Sequence, residues 1–490
     1  MKLYPSKQIK VWDEFTLKSE GITSFQLMQR AAKTCYSWIT KRYHRDISIR
    51  VLCGPGNNGG DGFLIAAYLF QRGYQVSAYA LEDSGSNDRK LAESYARLQG
   101  VPIYPLSDFH SIPNTLMIDA LFGHGLNRPL AGELAAVVKQ MNDQLATVIS
   151  IDIPSGMPSE PQDSVFETFI HADSVLSFQQ PKQSFFVDEY GAHIGSWEVL
   201  DIGLAQSFAG KTNVELMDEN LIRAIYQEKP RFSHKGSFGN ALLIGGSAQY
   251  PGAIALSTLA CLASGVGRTF VATPNHCAET CKQLAPEAIY LQCCGIDHLS
   301  SSLELNAYDA VGIGPGLGMA KETQEQVLSL VKHKQRWVMD ADALNTLSRN
   351  PQIIPSGEVV ITPHPGEFDR LTEKHTSTGD RWHTARKLSQ AKDWVIVLKG
   401  AYTAVFLPDG RQYINNSGNA GLAKGGSGDV LCGLMTGLLA RGYSVEHGVL
   451  IAVYLHGRAA DRLNQVKSKD AIKAQDLISV IEAIGKQWED

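Results

Sequence analysis

The stretch KGGSGDVL, Lys424 to Leu431, sets Gly425, Gly426 and Gly428 directly before Asp429, and Asp429 opens the apolar run VLCGLMTGLLA. Glycines leading into a helix leave backbone N–H groups free and aim the positive end of the helix dipole outward, a natural cradle for phosphate. A carboxylate at that mouth needs a role of its own. It can accept the proton of a hydroxyl that attacks a phosphoryl group held by the glycines. The plain alternative is a helix cap favoured by the dipole.

Other residues in the second half suit the same chemistry. VGIGPGLG, Val311 to Gly318, is an apolar run entering a Gly/Pro loop. VMDADALN places Asp340 and Asp342 two residues apart, on one side if the chain stays extended, unless one of them caps the following helix. ITPHPGEF holds His364 and Glu367 in a Pro-bounded turn. LKGAYT ends a strand-like run with Lys399, whose amine and neighbouring amides can serve a nucleotide.

In the first half, GPGNNGGDG (Gly54–Gly62) lies between a strand-like and a helix-like run. It is not GxGxxG and no ribose-binding acid follows it, so a standard dinucleotide fingerprint fits poorly. An Asn-Gly-rich turn is the bland reading. MIDALFGHGLNRPL and SIDIPSGM add Asp119, Asp152 and Ser155 at strand ends, on the rim where Asn58 belongs. Oxygen donors without His or Cys suit a hard cation. One amide, one carboxylate and one hydroxyl carry little charge, which favours a monovalent ion. Taken singly, each acid reads as a cap or a loop hydrogen bond.

The elements that must position these residues alternate. SIRVLCG, QVSAYAL, TLMIDALFG, ATVISIDIPSG, ADSVLSF and EVLDIGLAQSF read as strands, with FLIAAYLFQRGY and AGELAAVVKQMN as helices between them. Such alternation predicts a mostly parallel sheet covered on both faces, with ligands beyond the carboxyl ends of the strands. A second series runs through NALLIGGS, TFVATP, YDAVGIGPGLG, RWVMDADAL, GEVVITPHPGE and DWVIVLKG. TAVFLPDGRQYIN reads as a hairpin around a PDG turn, and the segment from about Asn213 to Ser233 as a connector.

At 490 residues the chain is too long for one ordinary core. Its hydrophobic content of 44%, charged content of 19% and net charge of −5 describe a folded protein with no basic block for nucleic acid. No apolar run has the length of a membrane span, and the N-terminus shows neither a secretory h-region nor an Arg-rich transit pattern. The eight cysteines are scattered, with Cys293 and Cys294 adjacent rather than in CxxC spacing, as expected of reduced thiols in a cytoplasm.

GSGD at Gly426–Asp429 resembles the GxGD motif of the ribokinase-like superfamily. Together with HKGSFGNALLIGGSAQYPGA, GIGPGLG, DADALN, TPHPGEF and LKGAYT, it makes residues 225–490 resemble the ADP-dependent NAD(P)H-hydrate dehydratases. Ser427 stands where threonine is common and keeps the hydroxyl. NNGGDG, DALFGHGLNRP and DIPSG make residues 1–215 resemble the NAD(P)H-hydrate epimerases, the YjeF N-terminal domain; MQRAA fits as well. The resemblance implies an α/β protein with an N-terminal Rossmann-like three-layer sandwich and a C-terminal ribokinase-like domain. It implies repair of NADHX and NADPHX, with epimerisation of the R and S hydrates and dehydration of the S form at the expense of ADP. Ala253, Gly316, His364 and Asp429 would contact the hydrate. Lys399, Gly400, Ala401, Tyr402, Thr403 and Gly428 would hold ADP with Mg²⁺. In the first half Asn58, Asp119 and Ser155 would ligate K⁺. Asn57, Asn58, Gly59, Gly60, Asp61, Gly123, His124, Gly125, Leu126, Asn127, Arg128, Pro129 and Asp152 would surround the hydrated ring. His124 has no separate chemical role, and Asp152 is the candidate acid/base. A homo-oligomer is the expected assembly. Two other readings stay open at this level: a small-molecule kinase of the thiamine-precursor type, and an N-terminal module that binds an ADP-ribose-like ligand or a partner without turnover.

Overall fold

The structure, a computed structural model, describes residues 1–81, 85–110, 112–126, 128–143, 145–291, 295–299 and 303–488. Cys293 and Cys294 lie outside these residues, as does Asn127. The chain forms two compact units, one of Lys2–Thr212 with Thr376–Asp380, the other of Met1, Asn213–His375 and Arg381–Asp490. Among the described residues no helix is long and apolar enough to cross a membrane.

The N-terminal unit is built on seven strands. Their spatial order is Ile103–Pro105, Gln75–Ala80, Ser48–Cys53, Leu116–Ala120, Thr147–Ile151, Ala172–Phe178 and Ile194–Leu200, and all neighbours are parallel. Sequence order reverses between Ser48–Cys53 and Leu116–Ala120. Chains leaving these two strands turn to opposite faces and open a crevice beyond their carboxyl ends. Helices cover both faces, so the strands are apolar nearly throughout; every residue of Leu116–Ala120 is buried, Asp119 included. Helix Asn57–Gln71 starts almost at once after the first central strand. Thr23 begins helix Ser24–Arg42 with a reciprocal capping box to Gln26, an arrangement that satisfies two otherwise orphaned N–H groups.

The C-terminal unit holds a ten-stranded sheet. Ile289–Tyr290, Arg268–Ala272, Asn240–Ile244, Ala310–Ile313, Gln335–Met339, Gly357–Ile361 and Trp394–Leu398 lie parallel in that order. The hairpin Ala404–Phe406 and Gln412–Asn415 then continues it antiparallel, around the PDG turn read from the sequence. Here the order reverses between Asn240–Ile244 and Ala310–Ile313. The predicted site residues Gly316, Asp340, His364 and Lys399 all follow carboxyl ends of these strands.

One expectation fails. The segment after Asn213 is not a connector: Val214–Met217 pairs in parallel with Gln412–Asn415 as the tenth strand, and Glu219–Ile225 is a helix capped by Asp218. Met217 and Ile222 are buried. The division at residues 215 and 225 therefore cuts into the C-terminal unit, whose main segment begins at Asn213. A four-residue edge strand has too short an alternation to stand out. The run EVLDIGLAQSF is likewise strand only as far as Leu200.

Replacing Ile222 with Ala in a linker would leave stability unchanged. In this fold it removes a fully buried side chain, and an isoleucine-to-alanine truncation in a core costs about 2–5 kcal/mol. Calorimetry is expected to show the C-terminal unit melting earlier, and an unchanged melting temperature would restore the connector.

Candidate active sites

At the reversal point of the N-terminal unit lies a cavity of about 820 Å³. Asn57, Asn58, Asp61, Gly123, His124, Gly125, Leu126, Arg128 and Asp152 line it. Gly59 and Gly60 do not; both are buried behind the wall. A Cβ on Gly59 would stand 2.0 Å from the carbonyl oxygen of Gly54, so the absence of side chains is what lets the helix start lie against the loop. Pro129 is exposed and also outside the lining. Asn57 accepts a 2.6 Å hydrogen bond from the Ser86 hydroxyl.

Asp152 sits at φ +68°, a conformation aspartate tolerates better than most residues. Its Oδ1 lies 2.6 Å from the ammonium of Lys182, and both side chains are nearly inaccessible. Its Oδ2 meets Nδ1 of His124 at 3.0 Å and the His124 N–H at 3.3 Å, while the Phe178 N–H donates to Oδ1. Burial alone would raise its pKa, but Lys182 and then His124 outweigh burial and hold the carboxyl well below the usual carboxylate range. Asp152 is therefore a fixed anion, suited to orientation and charge rather than to proton release at neutral pH.

Asp119 lies under the floor. It accepts hydrogen bonds from the Ser155 N–H (2.8 Å), the Ser155 hydroxyl (2.5 Å), the Ser150 hydroxyl (2.7 Å) and the Leu121 N–H (3.3 Å). Burial pushes its pKa up and these bonds oppose the rise. Nδ2 of Asn58 donates to the carbonyl of Ile151 at 3.2 Å, and its Oδ1 is buried without a hydrogen-bond partner. An unsatisfied buried oxygen costs about 1–3 kcal/mol. A weakly charged cation there would remove that cost, so the residues present fit an alkali ion.

In the C-terminal unit, Asp340 occupies the cap position of helix Ala341–Ser348, yet its side chain does not cap. Its Oδ1 accepts from the Lys399 ammonium at 2.8 Å, with Glu367 Oε2 at 3.9 Å from the same nitrogen. Asp342 instead ties two loops together by accepting the Gly318 N–H at 2.8 Å. His364 caps helix Pro365–Leu371 through Nδ1, which accepts from Gly366 and Glu367. That bond leaves the ring proton on Nε2, on a half-exposed imidazole. Gly316, at φ +63°, packs so closely on Ala253 that a Cβ would come within 2.8 Å of it. Gly400 to Thr403 form the loop that follows Lys399.

Gly426 adopts φ +96° at the start of helix Ser427–Ala440. An added Cβ on Gly428 would lie 3.4 Å from both Asp340 Oδ2 and Lys399 Nζ, so the glycine loop converges on that ion pair. Asp429 is in the helix's first turn. Burial, with Asp340 and Asp342 adding to it and Lys399 opposing, raises its pKa to about 6. It is thus an anion at neutral pH and basic enough to take a proton.

Residues 24–184 match the YjeF-related protein N-terminus family, and residues 241–483 match the NAD(P)H-hydrate dehydratase family. The bifunctional NAD(P)H-hydrate repair enzyme Nnr of Moorella thermoacetica is 31% identical, over 100% of this chain and 98% of the relative. The chain belongs to the bifunctional NAD(P)H-hydrate repair enzyme family. The enzyme of that name from Thermosynechococcus vestitus is 33% identical over 90% of this chain and 88% of the relative. A ribokinase-like superfamily protein from Enterococcus faecalis superposes with a TM-score of 0.51 at 26% identity, covering 58% of this chain and 99% of that one. The C-terminal unit therefore has the ribokinase-like fold.

Two groups of this repair-family chain lie outside every motif described above. Lys182, in QQPKQSFF, follows a strand as the other rim residues do, and a lone lysine after an apolar strand was the available signal. His456 donates from Nε2 to the Ser427 carbonyl at 2.9 Å, and burial lowers its pKa to about 4, so it stays neutral beneath the glycine loop. It lies within an apolar helix that no motif marks.

Two outcomes follow from these charges. Lys182→Met strands the buried Asp152 anion and should destabilise the N-terminal unit by about 3–5 kcal/mol. Adding Asp152→Asn should recover most of the loss in a thermal melt; no recovery would mean the two do not act as a pair. Where Asp429 works as a base, ADP-dependent turnover should be flat near neutral pH and fall tenfold per unit below about pH 6, because the carboxyl protonates as pH drops through its raised pKa. A pH-rate profile checks this, and a flat profile down to pH 5 contradicts it.

Proposed function

We propose that the two units catalyse consecutive repair steps on hydrated nicotinamide nucleotides. The N-terminal unit interconverts the R and S hydrates, and the C-terminal unit dehydrates the S form with ADP, releasing AMP and phosphate. The observation that carries this reading is that each unit assembles its own set of reactive residues on one sheet rim, in a chain related to these enzymes along its whole length.

In the C-terminal unit, Gly425, Gly426 and Gly428 cradle the transferring phosphoryl group, while Lys399 to Thr403 hold the nucleotide. Mg²⁺ accompanying ADP would neutralise phosphate charge, as in phosphoryl transfer generally. Ala253, Gly316 and His364 orient the hydrate, the Nε2–H of His364 as a donor. Asp429 takes the proton of the C6 hydroxyl as that oxygen attacks phosphorus. Hydroxide leaves poorly and phosphate leaves well. The ring-nitrogen lone pair expels phosphate to leave an N1=C6 double bond, and transfer of a C5 proton to the departing phosphate restores the dihydropyridine.

In the N-terminal unit, Asn58, Asp119 and Ser155 would hold K⁺, whose charge would fix the loop around the reacting ring. Asp152 orients the ring by its fixed charge. The free thiols among the described cysteines support a reducing, cytoplasmic setting.

A mixture of NADHX epimers with ADP and Mg²⁺ separates the steps. The parent protein should restore the NADH near-ultraviolet band completely. Asp429→Asn should lose about a hundred- to ten-thousand-fold in dehydration while epimer exchange, followed by chromatography, continues. Asp119→Ala should convert the S fraction at the normal rate and leave the R fraction lagging. Stable phosphorylated product, or no NADH at all, would replace this reading with a kinase or a binding protein.

A further inference from the structure

Asp13 belongs to helix Ser6–Glu20, outside every motif described above. It nevertheless lines the same cavity as Asp61, His124 and Asp152. Charged groups from five elements surround it. Lys10 and Glu14 share its helix, Asp61 comes from helix Asn57–Gln71, Asp88 from helix Asn87–Leu98, His124 and Arg128 from the loop after Leu116–Ala120, and Asp152 with Lys182 from the ends of the strands that follow. Asp152 is locked by Lys182 and His124. Asp61 has Oδ1 buried without a hydrogen-bond partner, and burial together with Asp152 and Asp13 raises its pKa well above the usual range. The paired Asp152 is not free to give and take a proton, and Asp61 is buried in the wall at 7% exposure, whereas Asp13 is half-buried and open to the cavity.

We propose that Asp13 is the proton-transfer residue of the epimerisation step, acting on the C6 oxygen of the hydrate. The assignment rests on the epimerase reading of the N-terminal unit. Protonated Asp13 gives its proton to the C6 hydroxyl. The C6–O bond breaks with its electron pair leaving on water, and the N1 lone pair forms an N1=C6 double bond. This flat cation can be attacked from either face. Water adds to C6, the N1=C6 pair returns to nitrogen, and the proton lost from the new oxygen restores Asp13. No net proton, electron or water is consumed. Burial, opposed by His124 and reinforced by Asp152, raises the Asp13 pKa to about 6, which keeps both protonation states populated near neutrality.

The test uses the full chain with purified R-NADHX and follows epimer exchange from pH 5 to 9. Asp13→Asn should lower kcat by at least about a hundredfold with KM little changed, and should abolish the kinetic transition near pH 6. Asp13→Glu should recover part of the rate with a displaced transition. Circular dichroism melts of each variant report folding. The assignment is overturned if Asp13→Asn keeps the parent rate, or if it slows exchange while the transition near pH 6 persists, since Asp13 would then only shape the cavity. An unfolded Asp13→Asn leaves the decision to Asp13→Glu, whose unshifted transition also overturns it. A parent protein that does not epimerise at all overturns the proposed function itself.

Discussion

In a parallel sheet each strand must be re-entered from the same end, so every connection that leaves a carboxyl end lies on one rim. Both units obey this constraint, and the chemistry depends on it. Asn58, Asp119, Asp152 and Lys182 are far apart in sequence but come from successive rim positions of one sheet. Gly316, Asp340, His364 and Lys399 do the same in the other. The reversal of strand order then separates two neighbouring loops and leaves room for a ligand. Without parallel pairing, these residues would alternate between opposite ends of the sheet.

Once gathered, similar carboxyl groups are made different by what surrounds them. Asp152 faces a buried ammonium and stays ionised. Asp119 meets hydroxyl and amide donors that counter its burial. Asp61 meets neither and is driven toward its neutral form. Asp429 lies between these cases, because Lys399 offsets only part of the effect of burial and of Asp340. Asp340 is the direct partner of that lysine, so the two members of one ion pair act on Asp429 in opposite directions.

What could be read from the sequence follows from these distances. Strands with continuous apolar runs, such as ADSVLSF, and glycine-rich turns at their ends declare themselves locally, so the parallel α/β class and most rim residues were legible. The edge strand Val214–Met217 was not, since its identity rests on pairing with Gln412–Asn415 almost two hundred positions later. Gly59 and Gly60 read as ligand-facing because their motif is, whereas their work is close packing behind the wall. Asp13 carries no local sign and Lys182 only a faint one; the fold alone brings Asp13 to the cavity and Lys182 against Asp152 behind it.

The location of Asp429 depends on packing well below it. Helices Pro251–Ala263 and Ser427–Ala440 cross so closely that a Cβ on Gly433 would lie 2.0 Å from the Ser257 carbonyl oxygen, and one on Gly437 would lie 2.1 Å from the Ser264 hydroxyl. Those glycines are four residues apart, one turn of helix, and form a flat strip against which the partner backbone rests. At the upper end of the strip the Ser257 hydroxyl donates to the Asp429 carbonyl at 2.8 Å, and one turn before Ser257 stands Ala253, the residue packed on Gly316. In the proposed dehydratase site, Asp429 and Ala253 are therefore carried by two rods held in fixed register. Side chains at the glycine positions would force the rods apart and shift Asp429 without touching it, and under the proposed mechanism an error of about 1 Å in its alignment can cost about a hundredfold in rate.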